Sequence, residues 1–361
     1  MKKFFCIINF ISIFFVFAEA KLIPFSKENK IGFVDENLNI IIDPKYDSIN
    51  KYNGNSFVMY LKQTQINVLV NENGIRNVQN ILLLGDEKYS IYMEPDTFVY
   101  DKTGKRIRFL RNLQHDHNSS SKYIIVFNGK SENIIKENNE YIFMDNKILE
   151  LFAYDEKTGT ALCRYSGKGY SLIDAKGIKN NDSYIFGIRS FNEGLVFGKN
   201  LKTGECGFYN MDCRLIIKTD ILDSSDMDDW YSFPAINCGV IGLVNDGKRF
   251  IFLCNGQTYH SDNWCIINKE NTIIAKGISA DYVYPFYDDV AVVMTKIGKK
   301  MKYTLINKKG ILITNEEYDE IHSSINGYCM AVKDGLDYLI SSKDGSIYNC
   351  NSFTFGKKQS E

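Results

Sequence analysis

Short runs of apolar and β-branched residues alternate with short polar segments along most of the chain. Residues 30–62 show the pattern most completely, with apolar runs at residues 31–34 and 38–42 separated by polar residues, which is typical of a β-hairpin. Pro44 follows the hairpin and is expected to break the strand pairing, because proline has no backbone N–H to donate. A third strand is expected at residues 56–62. The predicted unit is therefore a hairpin, a corner and a third strand.

A polar turn recurs between the apolar runs, and it consists of Asp or Asn, a few polar residues and often Gly. The Asp or Asn side chain can accept a hydrogen bond from the backbone two residues on, and Gly supplies a positive φ. Counted at the Asp or Asn position, the nine intervals have a mean of 34 residues, which is a period typical of repeat proteins. The positions are Asp35, Asn71, Asp101, Asp145, Asp174, Asn210, Asn245, Asn268, Asn307 and Ser341.

Structural roles are predicted for the repeat positions. Tyr46 is expected to pack between neighbouring units, and Tyr318-Asp319 later in the chain resembles Tyr46-Asp47. The turn and corner positions are Gly32, Asp35, Pro44, Tyr46, Gly74, Gly104, Gly177, Gly207 and Gly310.

These residues resemble the WG-repeat (KWG) family of exported bacterial β-repeat proteins. The family's unit reads roughly Trp-Gly-aromatic-Ile-Asp-x-x-Gly, an apolar strand, Pro-x-x-Tyr-Asp, and then Phe-x-x-Gly-x-Ala-x-Val. Residues 30–62 and 303–333 are the closest matches. No Trp-Gly pair is present, and Ile31-Gly32, Cys206-Gly207 and Ile241-Gly242 stand in its place. The resemblance implies an all-β repeat protein, commonly exported and without known catalytic residues.

The predicted fold class is all-β, with tandem antiparallel β-meander repeats of about 34 residues that form a propeller-like or an open superhelical array. One unit is too small to bury its own apolar face, so neighbouring units are expected to complete one another's core. Three strands per unit favour the open form, because a propeller blade has four. The array is expected over residues 21–355, with a loop interruption near residues 112–121 and a disordered tail at residues 356–361.

The first twenty residues predict a secretory signal peptide, because two lysines, an apolar run and a small-residue cleavage site follow one another. The protein is therefore expected to be periplasmic, at the cell surface or secreted, without a transmembrane segment in the mature chain. A net charge of −1 gives no indication of nucleic-acid binding. The eight cysteines after the signal fit buried thiols or one or two disulfides, and Cys265 and Cys329 lie in apolar runs.

Three motifs were weighed as ligand sites, and in each the simpler interpretation is favoured. His115 and His117 with Asp116 are better explained as an exposed loop than as a metal site, since structural sites need four ligands. The acidic residues Asp220, Asp223, Asp226, Asp228 and Asp229 lack the glycine and closing glutamate of an EF-hand. Residues 129–131, Gly-Lys-Ser, lack the first glycine of a phosphate-binding loop. No catalytic residue, cofactor or metal is predicted.

The leading functional prediction is a non-catalytic exported scaffold for protein–protein interaction at or outside the cell envelope. The alternative is a carbohydrate-binding or glycoside-hydrolysing β-propeller, whose acid and base would be among the scattered Asp and Glu. The expected partner is a protein, with a glycan as the alternative. Trp230 and the adjacent Tyr231 fall outside the repeat positions and are the predicted partner-facing residues.

Overall fold

The computed structural model describes residues 21–354 with several short gaps. The gaps are residues 79–80, 86–87, 94–95, 102, 111–113, 116–122, 128–129, 137–139, 144–146, 168, 180–183, 187–190, 223–235 and 254–257. The predicted signal peptide, the predicted tail, and the predicted partner-facing Trp230 and Tyr231 lie outside the described residues.

The chain divides into two compact units, and the first contains the residues up to His115 together with those from Phe353 onward. Its antiparallel sheets have the strand orders β1-β2-β3, β4-β5-β6-β7 and β11-β10-β9-β8. The strands of unit 1 are β1 (Ile23–Lys27), β2 (Lys30–Val34), β3 (Ile40–Tyr46), β4 (Ser48–Asn53), β5 (Ser56–Leu61), β6 (Ile66–Asn71), β7 (Gly74–Val78), β8 (Ile81–Gly85), β9 (Lys88–Met93), β10 (Asp96–Tyr100), β11 (Arg106–Leu110) and β12 (Gln114–His115).

The second unit contains residues 116–352. Its strands are β13 (Tyr123–Phe127), β14 (Glu132–Lys136), β15 (Ile148–Asp155), β16 (Thr160–Tyr165), β17 (Gly169–Asp174), β18 (Gly177–Ile178), β19 (Tyr184–Phe186), β20 (Leu195–Asn200), β21 (Cys206–Asn210), β22 (Leu215–Leu222), β23 (Val240–Asn245), β24 (Phe250–Leu253), β25 (Ser261–Asn268), β26 (Ile273–Ala280), β27 (Tyr282–Val283), β28 (Val290–Ile297), β29 (Lys300–Asn307), β30 (Glu320–Ile321), β31 (Tyr328–Lys333), β32 (Leu336–Ser341) and β33 (Ile347–Asn349).

Most sheets of unit 2 are again antiparallel meanders of consecutive strands. β15 to β18 form one sheet in chain order, as do β27 to β29 and β30 to β33. The exception is an eight-stranded sheet with the order β19-β20-β21-β22-β24-β23-β25-β26. There β22 and β24 pair in parallel and join two four-stranded groups at their edges.

The predicted all-β class with tandem antiparallel meanders is confirmed. A 3₁₀ turn at Cys350–Ser352 is the one helical element that the described residues contain. No helix in the described part of the chain is long and apolar enough to cross a membrane.

The prediction of three strands per unit is wrong, since four-stranded sheets are common in both units. The strand that the sequence hides is β4, because its side chains are mostly exposed and polar and show no clear alternation. The sequence repeat also straddles two sheets: residues 31–60 include β2 and β3 of one sheet and β4 and β5 of the next.

Pro44 does not end its strand, contrary to the expectation. β3 continues through Pro44 to Tyr46, and its pairing with β2 shifts register between the pairs Phe33↔Ile42 and Ile31↔Tyr46. This β-bulge takes Pro44 out of the regular ladder, so its missing N–H costs no hydrogen bond.

Neighbouring sheets share their cores, as expected for repeats that cannot bury an apolar face alone. In unit 1 the ring of Phe33 in β2 packs edge-on against Phe57 in β5, with centroids 4.8 Å apart. Both side chains are fully buried. Each such burial contributes roughly 1.5–3 kcal/mol. The contact therefore stabilises one sheet against the next.

Two of the cysteines are small core residues. Cys265 and Cys329 are buried free thiols, and burial raises their pKa to about 11 and about 12. Cys265 Sγ lies 3.3 Å from the Leu243 carbonyl oxygen, to which it donates. Both thiols are therefore protonated and unreactive at neutral pH.

Candidate functional site

Most of the predicted turn residues close a hairpin with their own side chain. Asp101 Oδ1, for example, accepts hydrogen bonds from the N–H groups of Thr103 and Lys105, both at 3.0 Å. The eight positions with a bond from the N–H two residues on are Asp35, Asn71, Asp101, Asp174, Asn210, Asn245, Asn268 and Asn307. Asp145 lies outside the described residues.

The glycines serve two different needs. The turn glycines have φ values of 120°, 83°, 120° and 72°, at Gly74, Gly104, Gly177 and Gly310 respectively, and this region favours a residue without Cβ. Gly32 instead allows close approach of two strands, because a Cβ there would lie 2.5 Å from the carbonyl oxygen of Ile42. A Cβ on Gly207 would clash in the same way with the carbonyl of Ile217.

The corner of the repeat contains an aspartate that ties one sheet to the next. Asp47 lies between β3 and β4, and its N–H donates to the Tyr60 carbonyl at 2.9 Å. Its Oδ2 accepts from the Lys62 N–H at 2.7 Å, just after β5. Its Oδ1 accepts from Lys30 Nζ at 2.5 Å, at the start of β2. We call this residue a junction aspartate.

Asp319 is a second junction aspartate with the same spacing. Lys302, 17 residues before it, donates from Nζ at 2.7 Å, just as Lys30 stands 17 residues before Asp47. The N–H of Asp334, 15 residues after it, donates to Oδ2 at 2.8 Å, matching the 15 residues from Asp47 to Lys62.

Asp281 is a third junction aspartate, which the sequence reasoning missed. Its Oδ2 accepts from the N–H of Lys296, 15 residues on, at 2.6 Å. On the side where the other two have lysine, His260 Nδ1 lies 3.5 Å from Oδ2. Ala280 precedes it in place of tyrosine, so the Tyr-Asp signal is absent. An aspartate followed 15 residues later by a hairpin end is the signal that would have identified it.

The carboxylates of Asp47 and Asp319 are held in the charged form. The hydrogen bond from Lys30 lowers the pKa of Asp47, and the Lys62 N–H lowers it further. The hydrogen bond from Lys302 lowers the pKa of Asp319, followed by that from the Asp334 N–H. Both groups are therefore ionised across the physiological pH range, as a permanent acceptor requires.

Tyr46 lies at the corner with its ring fully buried. Burial raises the pKa of its phenol to about 12, and the hydroxyl has no hydrogen-bond partner among the described residues. The ring therefore contributes apolar packing, and its hydroxyl contributes no bond.

The hairpin of β28 and β29 carries an unusual concentration of exposed cations at its tip. The pairs Thr295↔Lys302, Lys296↔Met301 and Ile297↔Lys300 continue the ladder to the end of the hairpin. Every side chain from residue 296 to residue 301 is exposed. We call residues 295–302 the lysine hairpin.

A second surface feature is aliphatic and lies at the outer edge of two successive sheets of unit 2. Ile273 and Ile274 of β26 are each 42% exposed, and Ile311 and Leu312 are 58% and 53% exposed. Gly310 brings the two pairs together, because a Cβ on it would lie 3.0 Å from the Cβ of Ala275. We call these four residues the aliphatic strip.

The motifs weighed as ligand sites form no centre in the described structure. No group of three or more His, Cys, Asp or Glu that could hold a metal ion is found among the described residues. Asp220 pairs instead with Arg249 at 3.0 Å. Asp116, His117, Gly129 and the remaining acidic residues at 223–229 lie outside the described residues.

Among curated proteins, none matches this sequence. Three solved structures to which the chain is similar cover most of its length. A structure titled as the eukaryotic initiation factor is 10% identical with a TM-score of 0.47, covering 92% of this chain and 97% of that chain. BamB from Moraxella catarrhalis is 11% identical with a TM-score of 0.34, covering 83% and 92%. AztD from Citrobacter koseri is 10% identical with a TM-score of 0.34, covering 91% and 93%.

The family comparison matches two segments to the WG containing repeat, residues 31–60 and residues 303–336. These are the segments that the sequence analysis chose as the closest to that family, and each contains a Tyr-Asp corner with its junction aspartate. The chain thus carries the WG-containing repeat in each of its two units.

Proposed function

We propose that this protein is an exported, non-catalytic WG-repeat scaffold for protein–protein interaction at or outside the cell envelope. The observation that carries the proposal is the aliphatic strip, which places four large apolar side chains in water at adjacent sheet edges. Contiguous exposed apolar surface on a soluble domain is typical of a protein-binding site. A partner that covers the strip removes that surface from water.

The state of the acidic side chains supports a non-catalytic role. Every described carboxyl group with a shifted pKa has it lowered, by hydrogen bonds from a nearby backbone or side chain: Asp47, Asp101, Glu205, Asp246, Asp319 and Asp344. The general acid of a glycoside hydrolase needs a raised pKa to stay protonated. These six carboxylates instead serve turns, junctions and ion pairs.

Affinity capture from a cell-envelope fraction tests the scaffold role, with cross-linking to identify residues that touch the partner. We expect a protein cross-linked to the strip and its loss when Ile311 and Leu312 are both changed to lysine. Leu201→Lys with Leu336→Lys is the matched control, because these side chains are 50% and 42% exposed outside the strip. Capture that the control abolishes equally contradicts the role of the strip.

A glycan array run in parallel distinguishes the alternative. Specific sugar binding by the wild type, together with the absence of any protein partner, would contradict the scaffold proposal. Export is tested separately by sequencing the amino terminus of the mature protein, which we expect to begin at Lys21.

A further inference from the structure

The lysine hairpin is a rigid protrusion, since its base is fixed on both strands. The Lys296 N–H donates to Asp281 Oδ2 at 2.6 Å, and Lys302 Nζ donates to Asp319 Oδ1 at 2.7 Å. Between these anchors the β28–β29 ladder continues to the pair Ile297↔Lys300, and Gly298 provides the turn with a φ of 64°. The hairpin end is therefore presented in one conformation.

The charges on this hairpin are unbalanced. Lys302 is paired with Asp319, and the lysines of neighbouring loops are paired as well, Lys308 with Asp289 and Lys333 with Glu316. By contrast, Lys296, Lys299 and Lys300 form no ion pair in the described part of the chain. Three cations thus stand together, with water as their main solvating partner.

Each face of the hairpin combines a cation with an exposed apolar side chain. Directly opposed residues in an antiparallel pair share a face, and successive residues alternate between faces. Lys296 and Met301 therefore share one face, and Ile297 and Lys300 share the other. Ile297 is 51% exposed and Met301 is 49% exposed. The hairpin offers positive charge and aliphatic surface to the same ligand.

The surroundings distinguish a narrow acidic ligand from a broad anionic surface. The next hairpin along the chain carries Asp334 and Asp337 near its turn, and Glu316 and Glu317 precede the Asp319 junction. A flat anionic membrane that reached the lysine hairpin would meet these carboxylates and be repelled. An extended peptide touches only the hairpin, so it gains the attraction without this cost.

We propose that the lysine hairpin is a docking site for an acidic segment of a partner protein that also carries aliphatic side chains. Glutamate or aspartate of that segment pairs with Lys296, Lys299 and Lys300, and an aliphatic side chain packs on Ile297 or Met301. This inference rests on the proposed scaffold role, and it assigns the chemistry of a partner to a surface separate from the aliphatic strip.

The test uses the full mature chain and a fluorescent synthetic peptide that alternates glutamate and leucine, with binding followed by anisotropy. We expect the wild type to bind it, and Lys296→Glu with Lys299→Glu to weaken binding roughly tenfold, since each exposed charge pair contributes about 0.2–1 kcal/mol. Binding weakens with added salt because the cations are exposed. Ile297→Ser with Met301→Ser also weakens it several-fold.

Matched controls keep charge and sequence effects apart. Lys157→Glu with Lys202→Glu makes the same change in net charge at two other exposed hairpin ends and is expected to bind like the wild type. A lysine–leucine peptide is expected not to bind. Circular dichroism verifies that each variant is folded, which its exposed positions favour.

Three outcomes overturn the proposal. One is no binding of the glutamate–leucine peptide by the wild type, and another is equal weakening by the hairpin and control variants. The third is hairpin-dependent binding to phosphatidylserine vesicles without peptide binding, which would make the ligand a membrane. All three leave the scaffold role standing if a partner still cross-links to the aliphatic strip, so the two proposals fail separately.

Discussion

The two segments that match the WG-containing repeat share a junction aspartate but differ in the strand that precedes it. In residues 31–60, Gly32 lets β3 pair with β2 through a bulge. In residues 303–336, Thr304 occupies the corresponding position, and the chain after β29 is joined to it by isolated bridges such as Tyr303↔Tyr318. Both segments retain the Tyr-Asp corner. The comparison indicates that the corner, and not the glycine or the regular third strand, defines the structural repeat.

The largest effects are expected at the corner tyrosines. Tyr46→Ala and Tyr318→Ala each remove a fully buried ring, so each lowers the free energy of unfolding by about 3–5 kcal/mol. Urea denaturation measures the change, and Tyr52→Ala, at a 39% exposed ring, is the control. A corner tyrosine that can be removed without loss of stability breaks the comparison.

The glycine position is expected to separate the two segments. Gly32→Ala places a methyl group 2.5 Å from the Ile42 carbonyl oxygen, so we expect a loss of about 1–3 kcal/mol. Thr304→Ala, at the corresponding position of the second segment, is expected to cost roughly 0.5 kcal/mol. Equal losses in a parallel urea titration would show that both segments need the same close approach.

The junction carboxylates predict a dependence of stability on acid pH. The folded pKa of Asp47 and of Asp319 is lowered below 3.8. Their stabilising contribution is therefore fully present above that value and is lost as the pH falls through the folded pKa. The urea midpoint of Asp47→Asn with Asp319→Asn should lie below that of the wild type at pH 7 and approach it near pH 2. A constant difference between the two proteins at all pH values rules out this linkage.

The smallest effect is expected for Tyr46→Phe. The hydroxyl is buried without a hydrogen-bond partner among the described residues, so its removal leaves no new unsatisfied group. We expect a stability between that of the wild type and about 1 kcal/mol above it. A clear loss of stability in thermal melting would reveal a bond from this hydroxyl.

Local turn chemistry is the part of this fold that could be predicted from the sequence. An Asp or Asn side chain and a turn glycine act within a few residues, so their pattern is visible without knowledge of the fold. Residues such as Asp101 and Gly104 carry that information in themselves. The period of the strands followed from the same turns.

The limits between sheets and the candidate surfaces could not be predicted in this way. Exposed β4 lacks the apolar alternation that reveals a strand. Asp281 acquires its role through Lys296, which lies 15 residues away. The lysine hairpin is distinctive because its cations are unpaired while Lys308 and Lys333 find partners across loops. Such pairing depends on tertiary contacts that a single sequence does not display.

Amide hydrogen exchange by NMR tests the junction aspartate most directly. In the wild type, the N–H groups of Lys62, Lys296 and Asp334 should exchange slowly, because each donates to a junction carboxylate. Asp47→Ala should speed exchange at Lys62 alone among the three, Asp281→Ala at Lys296, and Asp319→Ala at Asp334. Unchanged exchange at the N–H 15 residues after each substituted aspartate would contradict the account.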